Sequence, residues 1–283
     1  MEAEDFNTKY KPTWCPGCGN YGIWQSLKQA LVKLELKPWE VVIVYGIGCS
    51  GNMNDFVKSY GFHALHGRGI PNACGIKLAN HQLTVICILG DGDCYGEGGN
   101  HLIHAARGNH DIKVFVHDNR VYGLTTGQTS PTSPHGYLSK STPAGVIEVP
   151  LNPLSLSISQ GASFVAQGFA GNLLHLTELM VRAIKHQGFS LLNILQPCVT
   201  FNKVCSFEFY QKRVYQLEKE GWSPRDRLEA LKKAALTNEK IPIGVFYQEK
   251  RPTYHQQLIQ IKEKPLVKQS PEKDISSLFK NFT

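Results

Sequence analysis

The residues best suited to chemistry stand just after apolar runs. Gly90-Asp91-Gly92-Asp93 directly follows LTVICILG (83–90), and Asp118-Asn119 closes IKVFVHDN (112–119). A Gly-rich turn between a strand and a helix aims backbone N–H groups at one point, which suits an anionic group. Two aspartates there would repel a bare phosphate, so a divalent cation between carboxylate and phosphate is the consistent reading. Asp91 and the Asn119 side chain, at the ends of successive expected strands, could both reach that ion, and the turn carbonyl of Val121 could supply a third oxygen. The bland alternative, that Asp91 and Asp93 only cap the helix starting near Tyr95, loses weight because Asn119 closes the next strand.

Thiols form a second group. Cys15 and Cys18 have C-x-x-C spacing in WCPGCG, Cys49 lies in GIGCSG, and Cys198 lies in QPCVTFN. Four thiolates suit Zn2+ or a [4Fe–4S] cluster equally, and spacing does not choose between them. Cys205, seven positions beyond Cys198, competes for the fourth place. Cys198 is preferred because it directly follows a strand and a proline. Cys74, Cys87 and Cys94 read as core or loop thiols.

These residues must be held by elements that end together. Residues 20–34 predict a helix with Asn20 as N-cap and Ile23, Leu27, Ala30, Leu31 and Leu34 on one face. VVIVYGIG (41–48), LTVICILG, IKVFVHDN and SLLNILQP (190–197) are continuously apolar, as strands buried on both faces are. Helices are expected from near Pro71, over YGEGGNHLIHAAR and over 172–187. The stretch 123–160, rich in Ser, Thr, Pro and Gly, is a long loop of the kind usually kept for function. Helical stretches at 208–219 and 224–235, a strand at IPIGVF and a polar tail follow. The alternation predicts an α/β fold with a doubly wound, mainly parallel sheet, whose ligands lie beyond the carboxyl ends of the strands.

The chain has 283 residues, of which 42% are hydrophobic, enough for one large domain with an appendage. Residues 201–283 hold 16 of the 30 Lys and Arg and 10 of the 23 Asp and Glu. The expected division is 1–204, the binding domain, and 205–283, a polar C-terminal extension packing on the domain or a partner. No basic stripe interleaved with aromatics argues for nucleic acid. No apolar run is long enough to span a membrane. The acidic MEAEDFNTKY lacks an apolar signal segment, so a cytoplasmic location is expected, where a disulfide framework is not.

Gly90-Asp91-Gly92 followed by Asn119 resembles the signature of thiamine diphosphate enzymes, in which Asp and Asn hold Mg2+. Elsewhere in that family the later pair is often Asn-Asn; here it is Asp118-Asn119. Taken in order, CPGCG, GIGCSG, LHGRGIPNACGIKLAN, GDGD, DNRVYGLTTGQTSPT, PCVTFN and IPIGVFYQEKRPTY closely resemble the beta subunit of 2-oxoacid:ferredoxin oxidoreductases. The resemblance spans most of the chain. It implies the thiamine diphosphate-binding fold and three cofactors: thiamine diphosphate, Mg2+ and one [4Fe–4S] cluster. The implied cluster ligands are Cys15, Cys18, Cys49 and Cys198. Mg2+ would take Asp91, Asn119 and the Val121 carbonyl. The cofactor would touch Ile47, Gly48, Cys49, Ser50, His66, Gly92, Asp93, Gly123 and Leu124.

The implied reaction is the CoA-dependent oxidative decarboxylation of a 2-oxoacid to acyl-CoA and CO2, with electrons passing through the cluster to ferredoxin. His66 and Arg68 are candidates for contacts with the diphosphate or the substrate carboxylate; His101, His104, His110 and His117 read as structural. No Glu stands where thiamine enzymes activate the aminopyrimidine ring. The resemblance places that Glu on an alpha subunit, in a heterodimer or a dimer of heterodimers. Asn52, where some pyruvate-type relatives have a basic residue, leans toward 2-oxoglutarate or a broad range of 2-oxoacids. The rival readings are a cluster-free thiamine decarboxylase or synthase, an indolepyruvate-type oxidoreductase, and a zinc-stabilised interaction subunit without activity.

Overall fold

The computed structural model describes residues 1–236, 239–271 and 275–280. Among them, eight strands share one sheet. They are β1 (Val41–Tyr45), β2 (Tyr60–His63), β3 (Thr84–Gly90), β4 (Lys113–Asp118), β7 (Phe164–Phe169), β8 (Ser190–Leu195), β9 (Val214–Gln216) and β10 (Ile241–Gln248). Their spatial order is β2-β1-β3-β4-β8-β7-β10-β9. The first six are parallel, whereas β10 runs antiparallel to β7 and carries β9 beside it. A separate two-residue ladder joins β5 (Val121–Tyr122) to β6 (Gln128–Thr129).

The continuous apolarity of the central strands follows from burial of both faces, because successive side chains point to opposite sides. Val42, Val44, Val85, Cys87, Leu89, Val114 and Val116 meet α2 (Gly69–Ala79), α3 (Gly99–Gly108), α4 (Pro153–Ser159) and α7 (Arg227–Ala235). The alternate residues Val41, Ile43, Tyr45, Ile86, Ile88 and Phe115 meet α1 (Asn20–Lys33) and α5 (Leu173–Lys185). No helix among the described residues is long and apolar enough to cross a membrane.

Strand order locates the crevice. From β1 the chain moves outward to β2, and from β3 it moves the other way to β4, so the loops after these adjacent strands part. Ligands of open α/β sheets bind where the order reverses in this way.

Several elements differ from expectation. Gly19, not Asn20, caps α1; Asn20 is the first helical residue and is fully buried. Helix α2 starts at Gly69, ahead of Pro71, which fits Pro's tolerance in a first turn. The stretch 208–219 holds a short α6 (Phe207–Gln211), then β9 and a single tight turn. Strand β7 hides in the sequence because Gln167 and Gly168 interrupt its apolar run. In the fold Gln167 is satisfied inside the core, donating to Pro242 O (2.9 Å) and accepting from Asn193 Nδ2 (3.1 Å). Strand β2 is short, contains Gly61 and is exposed at the sheet edge.

The opposite end of the sheet is tied by buried charge. Asp111 binds Lys113 Nζ (2.6 Å) and Lys77 Nζ (2.9 Å), and Lys113 also donates to the carbonyl of Gly188 (3.0 Å). Burial alone would raise the Asp111 carboxyl, but Lys113 and Lys77 more than reverse this and hold it well below the carboxylate range. Removing one partner of a buried ion cluster strands the others. Asp111→Ala is therefore expected to destabilise the protein by about 3–5 kcal/mol, read from urea unfolding; a loss below about 1 kcal/mol would show that the lysines find water instead.

Two buried histidines set an acid limit. Burial pushes His117 down to about 3, and burial with the Lys113 charge pushes His186 down to about 4. Both are neutral in the fold and take up protons when it opens. Their contribution is present above the ordinary imidazole value near 6.5 and is lost as pH falls toward 4. The thermal midpoint should drop through this window, less steeply in His117→Asn; parallel profiles for the two proteins would contradict it.

Candidate thiamine diphosphate and thiolate sites

The loops after β1, β3 and β4 converge on one cavity at the switch point. From β1 come Ile47, Gly48, Cys49 and Ser50; from β3 come Asp91, Gly92 and Asp93; from the turn after β4 come Asn119, Val121, Gly123 and Leu124. His66 completes the rim. Gly48 takes φ +110°, a conformation few other residues adopt. A Cβ on Gly92 would collide with the Tyr122 ring, so only glycine lets the two loops touch.

Asp91 and Asp93 are both buried. They begin a wide π-type turn (Gly92–Glu97) that precedes α3, a distortion common at functional sites. Asp91 Oδ2 accepts from Ser130 Oγ (2.5 Å) and lies 2.7 Å from Thr132 Oγ1, which is also 2.8 Å from Asp118 Oδ1. Burial and then the Asp118 charge push the Asp91 carboxyl up to about 7, while the Ser130 and Thr132 hydroxyls pull it back. Asn193 Nδ2 serves Asp118 Oδ2 (3.1 Å) from the sheet side, and it is Asp91 whose carboxylate faces the cavity. That donor set fits a divalent cation. Asn119 Oδ1 accepts from the Val121 N–H (3.1 Å).

Asp93 has a different task. Its Oδ1 accepts from the Gly67 N–H (2.7 Å) and lies 3.1 Å from His66 Nδ1. Of His66 and Arg68, only His66 lines the cavity. Arg68 turns to the Glu97 carbonyl (3.4 Å) and to His101 Nε2 (3.3 Å). His117, read from the sequence as structural, also lines the cavity. Its Nδ1 lies 2.8 Å from Asn20 Oδ1. Its Nε2 and Ser50 Oγ are buried polar atoms without a hydrogen-bond partner among the described residues, as expected where a polar ligand completes the set.

The cysteines line an adjoining cavity. Cys15, Cys18, Cys49 and Cys198 surround it with Trp14, Asn52, Gln196 and Phe201, and no Lys, Arg or His lines it. Burial, then the neighbouring thiols, push Cys18 up to about 12 and Cys49 to about 11. Four thiolates there need a cationic centre, which fits a metal or an iron–sulfur cluster. Among the described residues, however, no three His, Cys, Asp or Glu side chains are already closed around a metal position. N–H groups reach two sulfurs: Gln196 Nε2 to Cys18 and Phe201 N to Cys198, each 3.4 Å. Cys205 is elsewhere, buried with Arg120 Nη1 3.8 Å from its sulfur. Cys49, Asn119, Gly123 and Leu124 line both cavities.

Comparison with known proteins identifies the family. Residues 46–194 match the family described as thiamine pyrophosphate enzyme, C-terminal TPP binding domain, and residues 198–263 match the C-terminal family of the pyruvate ferredoxin oxidoreductase beta subunit. The chain is 43% identical over 274 residues to a 2-oxoacid:ferredoxin oxidoreductase subunit beta of Saccharolobus solfataricus, covering 93% of this chain and 90% of that one. It is 42% identical over 202 residues to the 2-oxoglutarate oxidoreductase subunit KorB of Mycobacterium tuberculosis, covering 71% of this chain and 54% of that one. A solved 2-oxoglutarate:ferredoxin oxidoreductase from Magnetococcus marinus, with 2-oxoglutarate, coenzyme A and succinyl-CoA bound, superposes with a TM-score of 0.93 at 36% identity, over 100% of this chain and 96% of that one. With its thiamine-binding domain and the fold of that enzyme, this chain belongs to the family of 2-oxoacid:ferredoxin oxidoreductase beta subunits.

Proposed function

We propose that this chain carries thiamine diphosphate, Mg2+ and one [4Fe–4S] cluster, and that with an alpha subunit it catalyses CoA-dependent oxidative decarboxylation of a 2-oxoacid. The products are acyl-CoA and CO2, with electrons delivered to ferredoxin in the cytoplasm. The observation that carries this reading is the shared wall: Cys49, Asn119, Gly123 and Leu124 face both the carboxylate-lined and the thiol-lined cavity. Groups held in the two cavities would be separated only by these shared residues.

Bound thiamine diphosphate supplies the electron sink for decarboxylation. The remaining tasks fall to the chain itself. Asp91, the Asn119 side chain and the Val121 carbonyl would hold Mg2+, an ion whose remaining positions suit phosphate oxygens. Gly48 and Gly92 let backbone approach the diphosphate, and Ser50 offers it a hydroxyl. His66, braced on Asp93, stands at the half-exposed rim where the substrate enters. Cys15, Cys18, Cys49 and Cys198 would hold the cluster, and the N–H groups beside the Cys18 and Cys198 sulfurs would tune its potential.

2-Oxoglutarate is the favoured substrate. The Mycobacterium relative and the Magnetococcus enzyme both bear that acid in their names. Asn52, on the wall of the thiol cavity, puts no charge there. We assign the described residues of 205–283, with exposed Leu228 and Ile259, to packing on the domain or on the partner subunit.

No Glu lines the carboxylate cavity among the described residues. The pure chain, loaded with cofactors, should therefore show no turnover; full activity without an alpha-type chain would sink the two-subunit reading. The assembled complex is the main test. Prepared without oxygen, it should contain iron and acid-labile sulfide and show a broad visible shoulder. That shoulder should bleach, with a reduced-cluster EPR signal, on adding 2-oxoglutarate and coenzyme A. A colourless protein holding zinc would defeat the cluster assignment, and bleaching by pyruvate alone would defeat the substrate preference.

A further inference from the structure

Asp91 and the Asn119–Val121 turn come from different loops, and a metal ion shared between them demands a fixed separation. Three residues of the long loop that follows bridge the two. Ser130, Thr132 and Ser133 are all buried, although their segment is interrupted by Pro131 and followed by Pro134, within a stretch otherwise rich in exposed polar residues. Ser130 Oγ and Thr132 Oγ1 both engage Asp91 Oδ2, at 2.5 and 2.7 Å, and neither engages Oδ1. Ser133 Oγ works on the other loop. It donates to the carbonyl of Arg120 (2.7 Å), the residue between Asn119 and Val121. Arg120 has φ +61°, a left-handed conformation that side chains seldom adopt. The segment closes on itself, since the Ser130 N–H donates to Ser133 Oγ (2.9 Å) and the Ser133 N–H donates to Ser130 O (3.0 Å). Its entry is set by pairing of Thr129 with Val121, and its exit by the Leu151 N–H donating to Pro131 O (2.8 Å).

We propose that Ser130, Thr132 and Ser133 form a hydroxyl clasp that positions the two metal-binding loops, orienting Asp91 so that Oδ1 faces the cation and holding the Asn119–Val121 turn at the matching distance. This rests on the Mg2+ assignment above and goes beyond it, giving the loop 123–160 a role in metal affinity. None of the three residues is a catalytic residue; each acts through Asp91 or through the turn. Partners that orient metal ligands typically change affinity by about 10–100-fold when removed.

The test uses the assembled complex, freed of divalent metal and given thiamine diphosphate, with Mn2+ binding followed by the loss of its free EPR signal. Thr132→Val, which keeps shape and loses the hydroxyl, should raise the apparent Kd for Mn2+ by about 10–100-fold. Thr132→Ser should restore it to within about threefold, which a merely structural role of the methyl group would not allow. The visible absorbance from the thiol cavity should be unchanged in both. Ser130→Ala, a smaller change, carries the same direction and serves if Thr132→Val does not fold. Wild-type Mn2+ affinity in folded Thr132→Val or Ser130→Ala, or equal losses in the Val and Ser variants, would overturn the clasp while leaving the cofactor reading intact. Failure of the wild-type complex to bind Mn2+ with thiamine diphosphate would overturn the metal assignment, and the clasp with it.

Discussion

Two carboxylates, Asp91 and Asp118, lie buried within reach of one hydroxyl on Thr132, which has a single proton to give. Burying unbalanced charge is costly unless something neutralises it. Asp118 is relieved from the sheet side, where Asn193 Nδ2 donates to its Oδ2 (3.1 Å) and the buried Arg120 charge lies nearby, whereas Asp91 stands beside a crevice open to a cation. Deeper in the sheet, polar side chains such as Gln167 and Asn193 are satisfied by bonding one another. The sheet therefore sorts its residues by depth, with packing in the strands and chemistry where they stop.

The thiol cavity obeys the same constraint with opposite means. No positive side chain lines it, and burial holds Cys18 and Cys49 in the thiol form. To become thiolates they would require a positive centre from outside the chain. The two demands meet at the loop after β1, where Cys49 faces both cavities and Ser50 the carboxylate-lined one. By linkage, occupancy of either cavity that orders this loop favours occupancy of the second to the same degree.

Much of this is legible in the sequence alone. Continuous apolarity identifies the central strands, and the residues directly after them, Cys49, Asp91 and Asn119, line the cavities. What stays hidden involves polar groups satisfied by distant partners. Gln167 disguises β7 because its partner Asn193 lies on another strand. His117 reads as an ordinary strand residue until Asn20 engages one nitrogen and leaves the other facing the cavity. Ser130, Thr132 and Ser133 look like loop composition, since no local pattern reveals a hydroxyl aimed at an aspartate 39 residues away. Arg68, by contrast, is credited on side-chain type alone, and the fold turns it toward Glu97 and His101.

Strand order also carries a cost in time. Strand β4 ends at Asp118, yet its outer neighbour β8 begins only at Ser190. On the ribosome, at about 5–20 residues per second, several seconds pass before β8 can emerge. Meanwhile the edge of β4, bearing Val114, Phe115 and Val116, has no partner strand, the kind of edge that recruits other chains. Nascent chains of this topology are thus exposed to aggregation midway through synthesis, and early chaperone engagement or early docking of a partner subunit would shorten that exposure.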